Sequence, residues 1–148
     1  DRNICPDLIQ LPYSVLDTRF AQILPEMRRR SIEIHARSVF LQGAVFLADE
    51  KLTGALQGVI NPIRQLRALS LKTGFTVSDL CLLFVASNET IDRVVMGVDS
   101  ERHFRHNVKV FENQNKNSDS VSELQNLAVN DEKAVVPCFW NSFSSRSG

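Results

Sequence analysis

The chain has 148 residues, of which 43% are hydrophobic, so it is long enough to form one domain with its own core. Lys and Arg together number 17, the same as Asp and Glu, and this balance argues against a nucleic-acid or membrane-surface binder. The three cysteines are far apart and form no C-x-x-C pair, which excludes a zinc or disulfide framework and favours the reducing cytoplasm. No apolar stretch approaches the roughly 18 residues of a membrane span.

The first third of the chain predicts a strand, a helix and a second strand. Leu8–Leu11 is a short apolar run that ends at a proline, as a buried strand does. Asp17 offers an N-cap oxygen for a helix over Phe20–Arg30. Apolar and polar residues then alternate over Ile32–Val39, which predicts the second strand.

The middle of the chain predicts two helices and a third strand. Asn61 is followed by proline, as at the start of a helix, and Gly74 is placed to end that helix in the left-handed conformation. Thr76 and Asp79 have the spacing of a capping box for the next helix. The apolar run Ile91–Met96 predicts the third strand.

A last long helix follows the third strand. Ser100 is a suitable N-cap residue for it. Phe104, Val108 and Phe111 recur at helical spacing, so we expect them to form a stripe in the hydrophobic core.

The sequence after this helix predicts a linker and a tail. Asn113–Ser120 is polar and rich in turn-forming residues, which divides the chain into residues 1–112 and a linker with C-terminal tail, 113–148. A short helix is expected over residues 120–127. Val135–Trp140 is apolar but contains a proline, so we expect it to dock in an extended conformation.

Strands that alternate with helices indicate an α/β fold with a parallel sheet and right-handed crossovers. Parallel sheets are normally covered on both faces, and three strands with these helices cannot achieve that. The chain is therefore expected to be a slice of a larger α/β domain.

Three segments resemble the aldo/keto reductase family. Ile9–Tyr13 is similar to the motif of the sixth barrel strand, Arg37–Gly43 to that of the seventh, and Val95–Ser100, continuing to Asn107, to that of the eighth. The resemblance covers most of the chain and implies a partial TIM (β/α)8 barrel with three of its eight strands. The missing N-terminal part of the barrel would then be its partner.

The resemblance implies an NAD(P)-dependent oxidoreductase that reduces an aldehyde or ketone by hydride transfer. Physical chemistry agrees with the placement, because the loops after strands seven and eight and a helix N-terminus commonly form a phosphate site in such barrels. Gln10 would bind the nicotinamide carboxamide. The residues that the resemblance assigns to the cofactor are Gln10, Arg37, Ser38, Phe40, Gln42, Gly43, Gly97, Asp99, Ser100, His103 and Asn107.

The family's catalytic Asp, Tyr, Lys and His belong to earlier strands of the barrel, so no catalytic residue is assigned here. Tyr13, the only tyrosine, matches the sixth-strand motif instead. Arg37 stands where the family usually stacks a tyrosine on the nicotinamide. Asp99 favours NAD because a carboxylate repels a 2′-phosphate, whereas Arg102 and Arg105 favour NADP, and both cofactors stay open.

One other function is compatible with the sequence. A reductase-like domain without catalysis would only bind nucleotide or serve as an interaction module, and the presence or absence of the upstream catalytic set discriminates the two. His103 and His106 have a spacing that can hold a metal on one helix face, but Asp99, the only nearby carboxylate at a matching spacing, is expected to precede the helix, so no metal site is expected.

Overall fold

The computed structural model describes residues 5–112 and 122–140 of the chain. We number the regular elements in chain order. They are strands β1 (Leu8–Pro12), β2 (Glu33–Arg37) and β3 (Arg93–Val94), and helices α1 (Leu24–Arg29), α2 (Ile60–Thr73), α3 (Val77–Ala86) and α4 (Glu101–Glu112). Short 3-10 helices cover Ala21–Ile23, Leu41–Phe46, Asp49–Lys51, Gly54–Val59, Gln125–Leu127 and Pro137–Phe139, and one more α-helical turn spans Glu132–Val135.

The three strands form a parallel sheet in the order β1-β2-β3. The predicted parallel α/β architecture is therefore confirmed. The third strand is shorter than predicted, with two regular residues, although flanking backbone bonds extend the pairing: the N–H of Asp92 donates to Ile34 (2.9 Å) and that of Val95 to Ala36 (2.8 Å).

One face of the sheet is covered by helices, and the other face is exposed. On one face the side chains of Leu11, Ile34 and Ala36 are buried under the helices. On the other face Gln10 and Arg37 are exposed. We call this second side the open face. It agrees with the expectation that a larger body covers it.

Helices α2 and α3 begin and end largely as the sequence indicates. Gly74 ends α2 with a φ of 76°, and Thr76 and Asp79 form the predicted capping box of α3. The predicted start of α2 was wrong, because the helix already begins at Ile60 and Asn61 lies inside its first turn.

The first predicted helix, Phe20–Arg30, is divided into a 3-10 turn and the shorter helix α1. Asp17 does not cap it. Its carboxylate instead accepts hydrogen bonds from the guanidinium of Arg19 at 2.8 and 2.9 Å. The same carboxylate accepts from the backbone N–H of Arg19 at 3.3 Å, and the first helical turn begins only at Ala21 with Phe20 as its N-cap residue.

The predicted core stripe of α4 was wrong. Phe104 is 56% exposed and Val108 38% exposed, while Phe111 is partly buried against the core. Helix α4 packs against α3, and this contact leaves Phe104 and Val108 exposed to solvent. Helical spacing identifies an amphipathic helix but does not say which surface its apolar side meets.

The described part of the tail packs on the same core as the sheet. Leu124, Leu127 and Val135 are buried, and a Cβ on Gly58 would lie 2.9 Å from the side chain of Ala134, so the tail approaches closely only because this residue is glycine. Residues 122–127 are helical, as predicted for that segment. The boundary after residue 112 remains a prediction.

The extended conformation predicted for Val135–Trp140 was wrong. Residues 132–135 form one helical turn and Pro137–Phe139 a 3-10 turn. Proline is compatible with the first turn of a helix, where its missing N–H has no partner to lose. The predicted linker Asn113–Ser120 and the end of the tail beyond Trp140 lie outside the described residues.

Within residues 5–112 and 122–140, no single helix has the length and apolar composition needed to cross a membrane. Gly54–Thr73 and Val77–Ala86 meet these criteria only when taken together, and the chain bends by 97° between them.

Candidate functional site

The carboxyl ends of the parallel strands place three loops at one edge of the sheet. At the end of β2, Arg37 donates a hydrogen bond to the hydroxyl of Ser38 at 3.3 Å. Gln42, in the loop that follows, donates to the same oxygen at 3.3 Å. Three of the predicted cofactor residues therefore form one small polar cluster.

The backbone of this loop is strained. Ser38, Leu41 and Gln42 have φ values of 59°, 46° and 53°, and Gly43 follows at 83°. Non-glycine residues seldom adopt positive φ, and a bulky leucine does so least readily. Strain of this kind persists where the surrounding structure enforces it and is concentrated at functional loops. The loop after β2 is therefore a fixed, specially shaped element.

Next to this loop lies a cleft of about 1250 Å³. Its walls come from the loop after β2, the N-terminal end of α3, and the segment from Gly97 into α4. Five of the predicted cofactor residues line it. They are Phe40, Gly97, Asp99, His103 and Asn107.

The start of α4 is held by local hydrogen bonds. The hydroxyl of Ser100 accepts from the backbone N–H of His103 at 3.2 Å, which confirms the predicted N-cap. The Asp99 carboxylate lies 2.5 Å from Nδ1 of His103. This hydrogen bond and the charge of the imidazole lower the pKa of Asp99, so the carboxylate is ionised at the mouth of the cleft.

Asn107 is buried, with 8% of its surface exposed. Its amide donates to the sulfur of Met96 at 3.1 Å, which links α4 to the residues that follow β3. Asn107 is therefore not a solvent-facing residue of α4.

Several charges around the cleft are already paired. Arg105 lies 2.7 Å from the carboxylate of Glu101, and His106 lies 2.6 Å from Asp79. Arg102 also lines the cleft, and no carboxylate within the described ranges lies in ion-pair distance of it. Arg102 is thus the guanidinium best placed for an incoming anion.

The three motifs leave out part of the cleft wall. Thr76 and Ser78 enter it from the N-terminal end of α3, and Phe46, for which the sequence leaves pocket lining and core packing equally open, enters it from the loop after β2. The sequence marks Thr76 only as a helix cap and does not mark Ser78, because both meet the cleft through the packing of α3 against α4. Lys109 lines the cleft as well.

The remaining predicted residues lie apart from the cleft lining. Gln10 is exposed on the open face, beside His35 in the strand register. Arg37 ends β2, Ser38, Gln42 and Gly43 belong to the strained loop that follows, and Ser100 caps α4. The structure therefore divides the predicted cofactor residues among the cleft with its adjoining helix start, the loop after β2 and the open face of the sheet.

Tyr13 is part of the core. Its ring stacks on that of Phe84 with centroids 5.5 Å apart, and its hydroxyl accepts a hydrogen bond from Asn88 at 3.0 Å. Burial raises the pKa of Tyr13, which keeps the phenol protonated. These contacts give it a structural role.

The site can be tested for its fit to a nicotinamide dinucleotide. The cleft volume is ample for an adenosine phosphate, and a Cβ on Gly97 would meet no atom within 4 Å, so there is room for a ligand beside the backbone. Arg102 supplies a cation near the N-terminal end of α4, where the helix dipole also favours an anion. These residues fit the group. The described residues contain no cluster of three metal-binding side chains.

No protein-family model matches the sequence, and neither does any curated protein. Solved structures do match. The apo form of an aldo-keto reductase from Bacillus halodurans has a TM-score of 0.66 at 20% identity, covering 86% of this chain and 46% of that one. Its holo form has the same TM-score and identity and covers 89% of this chain. The chain thus spans about half the length of these structures and has the fold of a partial (β/α)8 barrel.

Proposed function

We propose that this chain, which has the fold of part of an aldo-keto reductase barrel, is the cofactor-holding portion of an NAD(P)-dependent carbonyl reductase. The observation that carries the proposal is the cleft where the loop after β2 meets the start of α4. It lies at the carboxyl edge of a parallel sheet, where (β/α)8 enzymes hold their ligands.

Different residues of the site would bind different parts of the cofactor. The phosphate of the adenosine half would lie at the start of α4, near Arg102 and the backbone N–H groups after Ser100. The polar cluster of Arg37, Ser38 and Gln42 would hold the pyrophosphate and the nearby ring. Gln10 offers both an amide donor and a carbonyl acceptor, as a carboxamide requires. The bound cofactor would supply the hydride that reduces the carbonyl carbon.

Catalysis on the substrate would need residues from the remaining strands of the barrel. The open face of the sheet supports this, since an uncovered parallel sheet is rare in a folded protein. We therefore propose the missing N-terminal part of the barrel and a small carbonyl compound as partners, and the cytoplasm as the compartment.

The charges at the cleft favour neither form of the cofactor decisively. The Asp99 carboxylate opposes a 2′-phosphate, while Arg102 attracts one, and Arg105 is already neutralised by Glu101. NAD and NADP both remain candidates, and Asp99→Asn is expected to shift the preference toward NADP because it removes a negative charge from the cleft mouth.

The test is a binding titration of NADH and NADPH on the full natural polypeptide that carries this chain. The Arg102→Ala variant should bind at least about tenfold more weakly, because a charge-assisted hydrogen bond to phosphate is lost. Arg29→Ala, an exposed arginine on α1, is the matched control and should not change the affinity. A natural polypeptide that binds neither cofactor would overturn the proposal, and binding without reduction of any aldehyde would favour a non-catalytic nucleotide-binding domain.

A further inference from the structure

Two phenylalanine rings form an aromatic wall on one side of the cleft. Phe40 and Phe46 both line it, with ring centroids 5.3 Å apart and an angle of 52° between the planes. Phe46 is 54% exposed. A large apolar side chain left in water loses the roughly 2 kcal/mol that its burial would contribute, so its exposure beside a cleft calls for an explanation.

The segment that carries Phe46 is anchored on both sides. Val45 is buried before it, and after it the guanidinium of Arg67 donates hydrogen bonds to the backbone carbonyl of Leu47 and, at 2.6 Å, to Asp49. Arg64 donates to the same carboxylate at 2.6 Å. The hydrogen bond from Arg64 and, to a smaller extent, that from Arg67 lower the pKa of Asp49. The carboxylate is therefore ionised at neutral pH and forms ion pairs with both arginines. Phe46 is thereby fixed against α2 with its ring at the cleft.

The other side of the cleft is polar and carries charges of both signs. Arg102 and the buried amide of Asn107 line it, and the carboxylates of Asp99 and Glu101 there are paired with His103 and Arg105. The cleft therefore joins an aromatic wall to a polar wall on which Arg102 can meet an anion. A ligand complementary to both has an aromatic ring system at one end and a phosphate at the other.

We propose that Phe46, supported by Phe40, stacks on the base of the bound nucleotide and determines the site's preference for a ligand with a flat ring. Arg67 is a positioning residue that holds the Phe46 segment through Leu47 and Asp49. This inference rests on the proposed function and adds to it which part of the ligand each wall of the cleft recognises.

The experiment titrates two ligands against the full natural polypeptide: adenosine monophosphate, and ribose 5-phosphate, which lacks the base. Phe46→Ala should weaken adenosine monophosphate binding about tenfold, as expected for loss of one base–aromatic stack, and leave ribose 5-phosphate unchanged. Phe46→Tyr retains a ring and should keep the affinity for both. Leu71→Ala, which removes the most exposed leucine of α2 away from the cleft, is the control and should change neither.

Arg67 is tested in the same way. Arg67→Gln should weaken adenosine monophosphate several-fold without affecting ribose 5-phosphate, whereas Arg64→Gln keeps the contact with Leu47 and should have a smaller effect. Arg67→Lys should restore part of the loss. A general folding defect would instead weaken both ligands together, and urea unfolding of each variant identifies it.

The outcomes separate the two proposals. If the natural polypeptide binds NADPH or NADH but Phe46→Ala leaves adenosine monophosphate affinity unchanged, the stacking role is overturned and the cofactor site stands. Equal losses of both ligands in a folded Phe46→Ala variant would overturn it too. If the natural polypeptide binds none of these nucleotides, both proposals fall.

Discussion

One face of the sheet is covered by helices of this chain, and the other face is exposed. On the covered face, Ile34 and Ala36 are fully buried beneath the helices. On the open face, Glu33 accepts hydrogen bonds at 2.8 Å from both His35 and Arg93, so charged side chains bridge two strands in the open. The covered face stabilises the fold of the chain, whereas the open face holds groups whose surroundings a larger body would define.

The largest effect is expected from a substitution on the covered face. Ile34→Ala removes a side chain with no exposed surface and should lower the free energy of unfolding by about 3 kcal/mol, through lost burial and the cavity left behind. Leu8→Ala, on the open face, should cost less than about 1 kcal/mol because Leu8 is already partly in water. Urea unfolding measures both. Equal losses would show that the open face is covered in solution.

A smaller effect is expected from the link between β2 and the residues before β3. Asp92 accepts a hydrogen bond from the backbone N–H of Ile34 at 2.8 Å and pairs with Arg28, and the bond from Ile34 is the main cause of its lowered pKa. A carboxyl with a lowered folded-state pKa stabilises the fold above its unfolded pKa of about 3.9, and this contribution is lost as pH falls through the folded value.

Asp92→Asn should therefore be less stable than the natural chain at neutral pH, and the difference should shrink below about pH 4. Thermal unfolding followed from pH 7 to pH 2.5 measures this. Ser31 is a nearby exposed residue, so Ser31→Ala is the control. Its stability should depend on pH in the same way as that of the natural chain. A constant difference between Asp92→Asn and the natural chain at every pH would contradict the linkage.

The smallest effect is expected on the open face itself. Glu33 lies between His35 and Arg93, and these contacts lower its pKa, first through the hydrogen bond from His35. Because Glu33 and Arg93 are well exposed to solvent, Glu33→Gln should shift the urea midpoint of the isolated chain very little, and added salt should remove the shift. A large loss of stability that persists in added salt would indicate that another protein surface buries the contacts of Glu33 with His35 and Arg93.

Much of the fold could be predicted from local signals. The capping box of Thr76 and Asp79, the left-handed Gly74 and the alternation in β2 each depend on neighbouring residues only, and each is present in the structure. Asp99 and His103, which belong to the motif after β3, both line the cleft. Such features are readable because the interactions that create them lie within a few residues along the chain.

Other features depended on contacts between distant segments. The sequence predicted a buried stripe on α4, but Phe104 is exposed because α4 meets α3 on another side. Ser38 and Leu41 have positive φ values although neither is a glycine, so the sequence gives no sign of this conformation. Arg67 is an unremarkable helix residue until its contact with Leu47, twenty positions earlier, is seen.

By itself, the sequence determined a parallel α/β slice and a set of short motifs, since periodicity, caps and motifs are local properties. Only the tertiary structure decided which face of the sheet is open, how Phe46 and Ser78 join the cleft, and which of its arginines is already paired. The physical reason is that burial and charge pairing depend on which segments meet in space, and residues far apart in sequence give no local sign of meeting.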